Sequence, residues 1–287
     1  PIVALERNFN KDGSFADLDI FEIRKKIKEA NPNWILIIPA DNPTGIQMSQ
    51  NLINEIAKIC VEKDIWFISD EAYRNIYFSD NGPSSIWQIS NADVPGIEGR
   101  RISIESVSKV WNACGLRIGA LVTDNDIMYK KVRSEYTANL CANVIGQYVF
   151  GAVAQMSSIE IIDWYSSQRD YYSTIIDRLI KGLKNELPGI ILSSPGAAIY
   201  IVLDFKNIAP SDFNTSKFIE YCSSNGKVRF NSKYYTLLLS PMNGFYNRKS
   251  KGEKQVRIAL VESESKMRIV PKLLSRLLEN YLKNETL

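Results

Sequence analysis

The chain has 287 residues, of which 45% are hydrophobic and 23% charged, and its net charge is +3, from 35 basic and 32 acidic residues. This composition is typical of a globular protein and excludes disordered, collagen-like and coiled-coil classes. The near-neutral charge gives no indication of nucleic-acid binding. The chain contains no histidine, which excludes a Ser-His-Asp triad, a histidine general base and a histidine-containing metal site. Any chemistry must use Lys, Asp, Tyr, Arg, Ser or Cys, or a bound cofactor.

The cysteines and the hydropathy pattern predict a cytoplasmic protein. The four cysteines are scattered along the chain without a C-x-x-C pair, which fits a reducing compartment rather than a disulfide framework or a zinc site: Cys60, Cys114, Cys141 and Cys222. We expect Cys114 to be a small buried thiol. No apolar run approaches the ~20 residues that a membrane span needs, and the amino terminus does not resemble a signal peptide. We therefore expect neither a membrane nor a nucleic-acid partner.

The first half of the chain alternates short apolar runs with amphipathic segments. The runs predict β-strands over residues 34–38, 65–68, 102–104 and 119–123. Residues 49–64 carry apolar side chains at helical spacing, with Ser49 placed to cap the helix. This pattern indicates an α/β fold with a mostly parallel sheet covered on both faces. In such sheets, ligands bind beyond the carboxyl ends of the strands.

The second half predicts a connecting helix and a smaller α+β domain. Residues 144–184 read as helix, with an interruption near Ser157. Strands then follow over 199–203, 235–239 and 256–261, with a helix over 211–224 and an amphipathic terminal helix that has Pro271 in its first turn. We therefore predict a large domain over residues 1–185, incomplete at its amino terminus and including the connecting helix, and a small domain over 186–287.

Polar clusters follow two of the predicted strands. Residues 41–45 (DNPTG) come after the first strand, where a simple Pro-Gly turn is an equally good explanation. Residues 69–73 (SDEAY) come after the second strand. Their paired carboxylates could bind a metal, or Asp70 could cap the next helix.

A third cluster lies at residues 106–109 (SVSK), with Arg117 eight residues beyond Lys109. A lysine beside hydroxyls and an arginine suggests an amine nucleophile next to an anion-binding group, and the natural covalent product of such an amine is a Schiff base. A solvent-exposed lysine is the common alternative. Neither a P-loop nor a G-x-G-x-x-G motif is present.

Taken in order, these motifs resemble the pyridoxal-phosphate-dependent aminotransferases of fold type I, class I/II, and more narrowly the aspartate aminotransferases. The resemblance rests on five features spread over nearly the whole chain: residues 42–45 (NPTG), 70–73 (DEAY), 106–109 (SVSK), Arg117, and 256–261 (VRIALV). It implies an enzyme that transfers an amino group between an L-amino acid and a 2-keto acid, with an aspartate-like amino acid as the candidate donor. It also implies pyridoxal 5'-phosphate as the cofactor and a homodimer as the assembly.

The resemblance assigns roles to individual residues. Lys109 is expected to hold the cofactor as a Schiff base and then to move the substrate α-proton, while Asp70 keeps the pyridine nitrogen protonated. Asn42 and Tyr73 are expected to hydrogen-bond the phenolic oxygen of the ring.

The remaining assignments concern anionic groups. Ser106 and Arg117 are expected to hold the cofactor phosphate, with Ser108 as an additional contact. Arg257 is expected to bind the substrate α-carboxylate through its planar guanidinium, with Asn42 beside it.

The sequence departs from the family pattern in two places. Relatives usually have on the order of 100 further residues before the point where this chain starts, so we expect an incomplete cofactor wall, exposed apolar surface and weak cofactor binding. Asn139 occupies a position where the similar subgroup tends to have an arginine, which puts aspartate specificity in doubt.

Two other functions remain open at this stage. A lyase or decarboxylase of the same fold would use the same Lys109 and Asp70. A truncated, non-catalytic remnant would bind the cofactor poorly or act only as a dimer partner.

Overall fold

The structure is a computed structural model that describes residues 2–139 and 142–285. The first part of the chain contains α1 (Ile20–Ala30), β1 (Trp34–Ile37), α2 (Gln50–Lys63), β2 (Trp66–Asp70), β3 (Arg101–Ser106), α3 (Val107–Val110), β4 (Gly119–Thr123) and α4 (Asp126–Asn139). Two helices follow, α5 (Val144–Gly151) and α6 (Ser158–Glu186). The last part contains β5 (Ile191–Leu192), β6 (Tyr200–Asp204), α7 (Thr215–Ser224), β7 (Val228–Phe230), β8 (Lys233–Tyr235), β9 (Ser240–Pro241), β10 (Gln255–Ala259), α8 (Glu264–Met267) and α9 (Val270–Glu285).

The first sheet has the strand order β1-β2-β3-β4. Strands β1, β2 and β3 are parallel, and β4 is antiparallel to β3. The predicted α/β class with a mostly parallel sheet is therefore confirmed. Because the three parallel strands end at the same edge, the loops that follow them lie side by side.

Helices α1 and α2 cover one face of this sheet. Ile35 and Ile37 of β1 are buried in a cluster with Ile53 and Ile56 of α2. The predicted cap of α2 is present, since the Leu52 amide donates a hydrogen bond to Ser49 Oγ at 3.2 Å. Alternation along the strands thus fixes which face packs against the helices.

The opposite face of the first sheet is largely open. Trp34 is 49% exposed, Leu36 41%, Ile104 40% and Leu121 45%, and the strand register places all four on this face. The prediction that both faces are covered is thus wrong for the part of the chain that the structure describes. The expected exposure of apolar surface is present here, and Asp70 lies on the same face because it pairs with Ile104.

The second sheet is antiparallel, with the order β5-β6-β10-β9, and β7 and β8 form a separate hairpin. Helix α9 packs an apolar stripe against this part of the core, and Pro271 lies in its first turn as predicted. The strand predicted over 235–239 is wrong for most of its length. Residues 236–239 form no strand, and Thr236 Oγ1 donates a hydrogen bond to the Cys222 carbonyl instead.

Helix α6 links the two sheets. It begins at the predicted interruption, and its carboxyl-terminal half packs into the core beside the second sheet through Ile175, Leu179 and Leu183. The chain before α1 also reaches the second sheet, where Phe15 packs against Val202. The domain limits 1–185 and 186–287 remain a proposal.

The described cysteines are free. Cys60 and Cys222 are buried, and burial raises the pKa of each thiol to about 12. Cys114 is exposed, so the prediction of a buried thiol at this position is wrong. The short turn that carries it, Cys114–Leu116, contains no buried residue. Cys141 lies outside the described residues. No helix in the described ranges is long and apolar enough to cross a membrane.

The start of α6 provides a stability test. Ser157 and Glu160 form a capping box, in which the Glu160 amide donates to Ser157 Oγ at 3.3 Å and the Ser157 amide donates to Glu160 Oε2 at 2.7 Å. We expect Ser157→Ala to lower the free energy of unfolding by ~1 kcal/mol, because the Glu160 amide loses the hydroxyl that accepts its hydrogen bond and the Ser157 hydroxyl no longer donates to Glu160 Oε2. Urea unfolding measures the change, with Ser158→Ala as the matched control. An equal effect of both substitutions would contradict the capping role.

Candidate active site

The loop after β1 carries Asn42 and is held at both ends. The Asp41 amide donates to the Ile46 carbonyl at 2.9 Å, and the Gly45 amide donates to the Asp41 carbonyl at 2.9 Å. The Asp41 carboxylate also accepts a hydrogen bond from the Thr44 hydroxyl. Burial raises the pKa of Asp41 above its usual range, and these hydrogen bonds only partly offset that effect.

The same loop is docked on the second sheet. Gly45 has a φ of +73°, and a side chain there would lie 2.8 Å from the Tyr200 carbonyl. Its own carbonyl accepts hydrogen bonds from the amides of Gly196 and Ala197, both at 2.8 Å. Glycine is required at this position for both reasons, the left-handed backbone and the close approach.

The two carboxylates after β2 have different surroundings. Glu71 is 3% exposed and accepts hydrogen bonds from the Ser85 hydroxyl, the Ile86 amide and Arg74. Among the described residues, the one hydrogen-bond donor to the Asp70 carboxylate, on the open face, is the Ala72 amide, at 3.1 Å to Oδ1. The metal interpretation of this pair is not supported, since no group of three or more His, Cys, Asp or Glu side chains that could hold a metal ion is found in the described ranges. Asp70 does cap the turn that follows, yet its second oxygen accepts no hydrogen bond from the described residues.

The third cluster lies at the end of β3. Ser106 caps α3, with its hydroxyl accepting from the Ser108 amide at 3.1 Å. Lys109 in α3 is half-buried, and no described residue hydrogen-bonds or ion-pairs with its amine. Arg117 is exposed, has a φ of +56°, and donates to the Cys114 carbonyl at 2.9 Å. The Val107 amide donates to the Ile118 carbonyl at 3.3 Å, which brings Arg117 beside Ser106.

Arg257 of β10 faces the first sheet rather than solvent. Its Nη1 donates to Asn42 Oδ1 at 2.5 Å, and its Nη2 donates to Ser240 Oγ at 3.1 Å. Its guanidinium carbon lies 4.4 Å from the ring centroid of Tyr200 and 5.0 Å from that of Phe245. Its Nε is buried and has no hydrogen-bond partner in the described part of the chain. The alternative of an exposed strand arginine is thereby contradicted.

Tyr73 is connected to Arg257 through Tyr200. The two hydroxyls hydrogen-bond each other, and the rings contact edge to face with centroids 5.6 Å apart. Burial, followed by this hydrogen bond, raises the pKa of Tyr73 far above its usual range. Tyr73 is therefore a neutral hydroxyl at physiological pH.

The structure brings the predicted residues together in two groups. Asn42, Tyr73 and Arg257 form one connected cluster through Tyr200. The other group is Ser106, Ser108, Lys109 and Arg117, on the neighbouring strand end. Asp70 lies between the two groups, since β2 is the central one of the three parallel strands. No hydrogen bond joins the two groups within residues 2–139 and 142–285.

Sequence reasoning assigned no role to Tyr200, Ser240 or Phe245. Tyr200 lies in an apolar strand, where tyrosine is common and gives no signal of its own. Ser240 belongs to a two-residue strand that the pattern did not reveal. Phe245 follows a glycine in a loop, and only its position over Arg257 shows its importance.

Asn139, where the similar subgroup tends to have an arginine, is exposed on α4. Its amide nitrogen donates to Glu135 Oε1 at 2.8 Å and to the Glu135 carbonyl at 3.1 Å. Asn139 is therefore engaged within its own helix.

The residues at this edge fit pyridoxal 5'-phosphate. Among the described residues, the buried Nε of Arg257 and the amine of Lys109 have no partner, and they suit a bound anion as a donor and a bound aldehyde as a nucleophile, respectively. The free oxygen of Asp70 suits a protonated ring nitrogen. Ser106, Ser108 and Arg117 supply hydroxyl and guanidinium donors for a phosphate.

Comparison with known proteins identifies the family. The family model for aminotransferase class I and II matches residues 9–266, and the chain belongs to this family. The chain is similar to a probable aspartate/prephenate aminotransferase from Aquifex aeolicus, with 25% identity over 79% of this chain and 55% of the relative. It is also similar to a probable mitochondrial alanine aminotransferase from Dictyostelium discoideum, with 28% identity over 76% of this chain and 41% of the relative.

Solved structures show the same fold. An N-succinyldiaminopimelate aminotransferase from Mycobacterium tuberculosis superposes with a TM-score of 0.76 at 20% identity, covering 92% of this chain and 62% of the other. A pyridoxal-phosphate-bound C-S lyase from Staphylococcus hominis gives a TM-score of 0.76 at 19% identity, covering 96% and 62%. The fold-type expectation is confirmed, and these findings support pyridoxal 5'-phosphate as the cofactor. The chain spans about half the length of the curated relatives it matches.

The Tyr73–Tyr200 pair provides a test of the site's packing. Each hydroxyl has only the other as a hydrogen-bond partner among the described residues, so Tyr73→Phe or Tyr200→Phe leaves one buried hydroxyl unpaired. We expect each single substitution to lower the free energy of unfolding by about 1–3 kcal/mol, and the double substitution to restore part of that loss. Urea unfolding of all four proteins measures this, with Tyr171→Phe as the exposed control. Additive losses in the double variant would contradict the pairing.

Proposed function

We propose that the protein is a pyridoxal-phosphate-dependent aminotransferase that moves an amino group between an L-amino acid and a 2-keto acid. One observation carries the proposal: Arg257 bonds Asn42 and keeps a buried, unpaired Nε at the sheet edge where Asp70 and Lys109 lie. Membership in the aminotransferase family supports the same conclusion.

The cofactor contacts follow from the side chains at the three strand ends. Asp70 would hold the ring nitrogen and its proton, since no described residue hydrogen-bonds its Oδ2. Asn42 and the neutral Tyr73 hydroxyl would donate to the phenolic oxygen of the ring. Ser106 and Arg117 would bind the phosphate.

Lys109 would hold the cofactor covalently through Nζ and, once the substrate amine has displaced Nζ from that bond, would serve as the base of the reaction. When bound, the cofactor supplies an electron sink for the carbanion left by removal of the substrate α-proton. The free Nζ of Lys109 would accept this proton and hold it for return. Its unpaired amine suits the role, because no carboxylate among the described residues holds it in an ion pair.

Arg257 binds the substrate α-carboxylate. The Tyr200 and Phe245 rings lie against the guanidinium. Asn42 and Ser240 each accept one hydrogen bond from it. The other N–H groups of the Arg257 guanidinium form a planar set of donors that suits the α-carboxylate of the substrate. Asn42 thus lies beside both the cofactor and the substrate.

An aspartate-like amino acid remains the candidate donor, which the aspartate aminotransferases among the curated relatives support. Asn139 supplies no positive charge for a distal carboxylate, so aspartate need not be the best substrate. A product assay separates transamination from the lyase alternative, since a transaminase makes a keto acid from the donor and an amino acid from the acceptor.

We also propose a cytoplasmic homodimer. Helix α5 exposes a run of large apolar side chains, with Val144 69%, Ile145 76% and Tyr148 86% exposed. Such a patch favours burial against a second copy. The reducing-compartment pattern of the cysteines supports the location.

The first functional test is the site of covalent attachment. Borohydride reduction in the presence of pyridoxal phosphate, followed by peptide mass mapping, should place the pyridoxyl group on Lys109. Lys109→Ala should lose the label and at least ~10²-fold in transamination rate, because both the attachment point and the base are removed. A label on a different lysine, together with an active Lys109→Ala variant, would overturn the proposal.

The second functional test concerns Arg257. We expect Arg257→Lys to raise the KM for amino acids at least ~10-fold while cofactor affinity stays nearly unchanged, because lysine keeps the charge but cannot make the planar set of bonds. Steady-state kinetics and cofactor titration measure the two effects. Arg268→Lys, an exposed arginine paired with Glu264, is the control. Equal KM values for wild type and Arg257→Lys would contradict the assigned role.

A further inference from the structure

Three side chains of α6 hold the turn that carries Lys109. Trp164, Gln168 and Tyr172 are spaced four residues apart and so lie on one face of the helix. Trp164 Nε1 donates to the Val110 carbonyl at 2.8 Å, and Gln168 Nε2 donates to the Lys109 carbonyl at 3.2 Å.

Two further contacts between α6 and the Lys109 turn flank the hydrogen bond of Gln168. Tyr172 makes a long hydrogen bond of 3.4 Å to Asn112 Oδ1. The Trp111 ring stacks on Trp164 with centroids 5.9 Å apart and an interplanar angle of 9°. The backbone on both sides of Lys109 is thereby fixed while its amine stays free.

Gln168 is the unusual member of this stripe. It is only 6% exposed, and its Oε1 is buried without a partner in the described part of the chain. An apolar side chain would fill the same volume without an unsatisfied oxygen, so packing alone does not explain a glutamine here. The feature of glutamine that this position uses is its N–H donor to the Lys109 carbonyl.

The same helix continues into the other half of the molecule. Beyond Tyr172, Ile175, Leu179 and Leu183 are buried in the core beside the second sheet, which carries Arg257. Since α6 is one continuous helix, it fixes the Lys109 turn relative to that sheet.

We propose that Gln168 is a positioning residue for Lys109. Its hydrogen bond to the Lys109 carbonyl, flanked by the contacts of Trp164 and Tyr172, sets the direction in which the lysine amine leaves the turn. This inference rests on the proposed function for the role of Lys109, but the contact itself does not depend on that function.

The test compares Gln168→Met with Gln88→Met. Methionine keeps the length of glutamine and removes the donor. Gln88 makes a similar bond, from Nε2 to the Pro83 carbonyl at 2.8 Å, on an exposed turn. We expect Gln168→Met to speed hydrogen exchange of the amides over residues 108–112 by roughly 2- to 10-fold, with no change elsewhere. Gln88→Met should leave that segment unchanged.

A second measurement follows the lysine itself. The rate at which borohydride traps pyridoxal phosphate on Lys109 should fall several-fold in Gln168→Met and stay at the wild-type value in Gln88→Met. Unchanged exchange over 108–112 with an unchanged trapping rate would overturn the inference. So would a uniform rise in exchange over the whole chain, since that result indicates a packing role.

The two proposals fail in different ways. A local rise in exchange in Gln168→Met, with no trapping on Lys109 even in the wild type, supports the contact and refutes the proposed function. Trapping at equal rates in wild type and Gln168→Met refutes the positioning role alone. If Gln168→Met does not fold, Trp164→Phe removes the neighbouring donor, keeps the ring stack, and is expected to loosen the same segment.

Discussion

The hydrogen bond from Arg257 to Asn42 is the interaction on which the site depends. It joins a strand of the second sheet to a loop of the first, and it is charge-assisted on the arginine side. The Gly45 carbonyl, bonded to the amides of Gly196 and Ala197, holds the same loop against the same sheet. The relative position of the two sheets is therefore set within a few residues of the side chains that would bind the substrate.

Strand alternation places the two adjacent carboxylates after β2 on opposite faces of the sheet, in different surroundings. Glu71 points toward the helix-covered side, where Ser85, Arg74 and the Ile86 amide satisfy it. Asp70 points toward the open face, where no described residue hydrogen-bonds its second oxygen, so this oxygen can bind a ligand. Two chemically similar residues thus divide into a buried structural group and a candidate binding group. The division follows from the two-residue period of the strand rather than from any difference in their acidity.

The sequence predicted the strand-end loops well because each loop is defined locally. The apolar runs, the Ser49 cap, the break at Ser157 and the order of the motifs all follow from spacing along the chain. Tyr200 and Gln168 could not be predicted in this way. Tyr200 matters because the second sheet brings its hydroxyl to Tyr73, 127 residues earlier, and Gln168 matters because α6 packs on the Lys109 turn.

The same reasoning explains the expectations that were wrong. Cys114 was expected to be a small buried thiol, but burial depends on what packs against the turn that carries it. The second face of the first sheet was expected to be covered because parallel sheets usually are. Both predictions were wrong because a local feature of the sequence does not show which tertiary contacts form.

The open face bears directly on the strength of the proposed site. Asp70 and Ser106 lie on that face, beside the exposed Ile104 and Leu121, so water can compete for their hydrogen bonds. An ion pair or hydrogen bond gains strength as the effective dielectric constant around it falls. Arg257 and Tyr73, by contrast, already lie in a partly dry environment, with aromatic rings against the guanidinium and a raised pKa on the phenol. The side chains around Arg257 and Tyr73 are therefore more preorganised than Asp70 and Ser106. A surface that covers Trp34, Ile104 and Leu121 would therefore strengthen the bond proposed between Asp70 and a ring nitrogen.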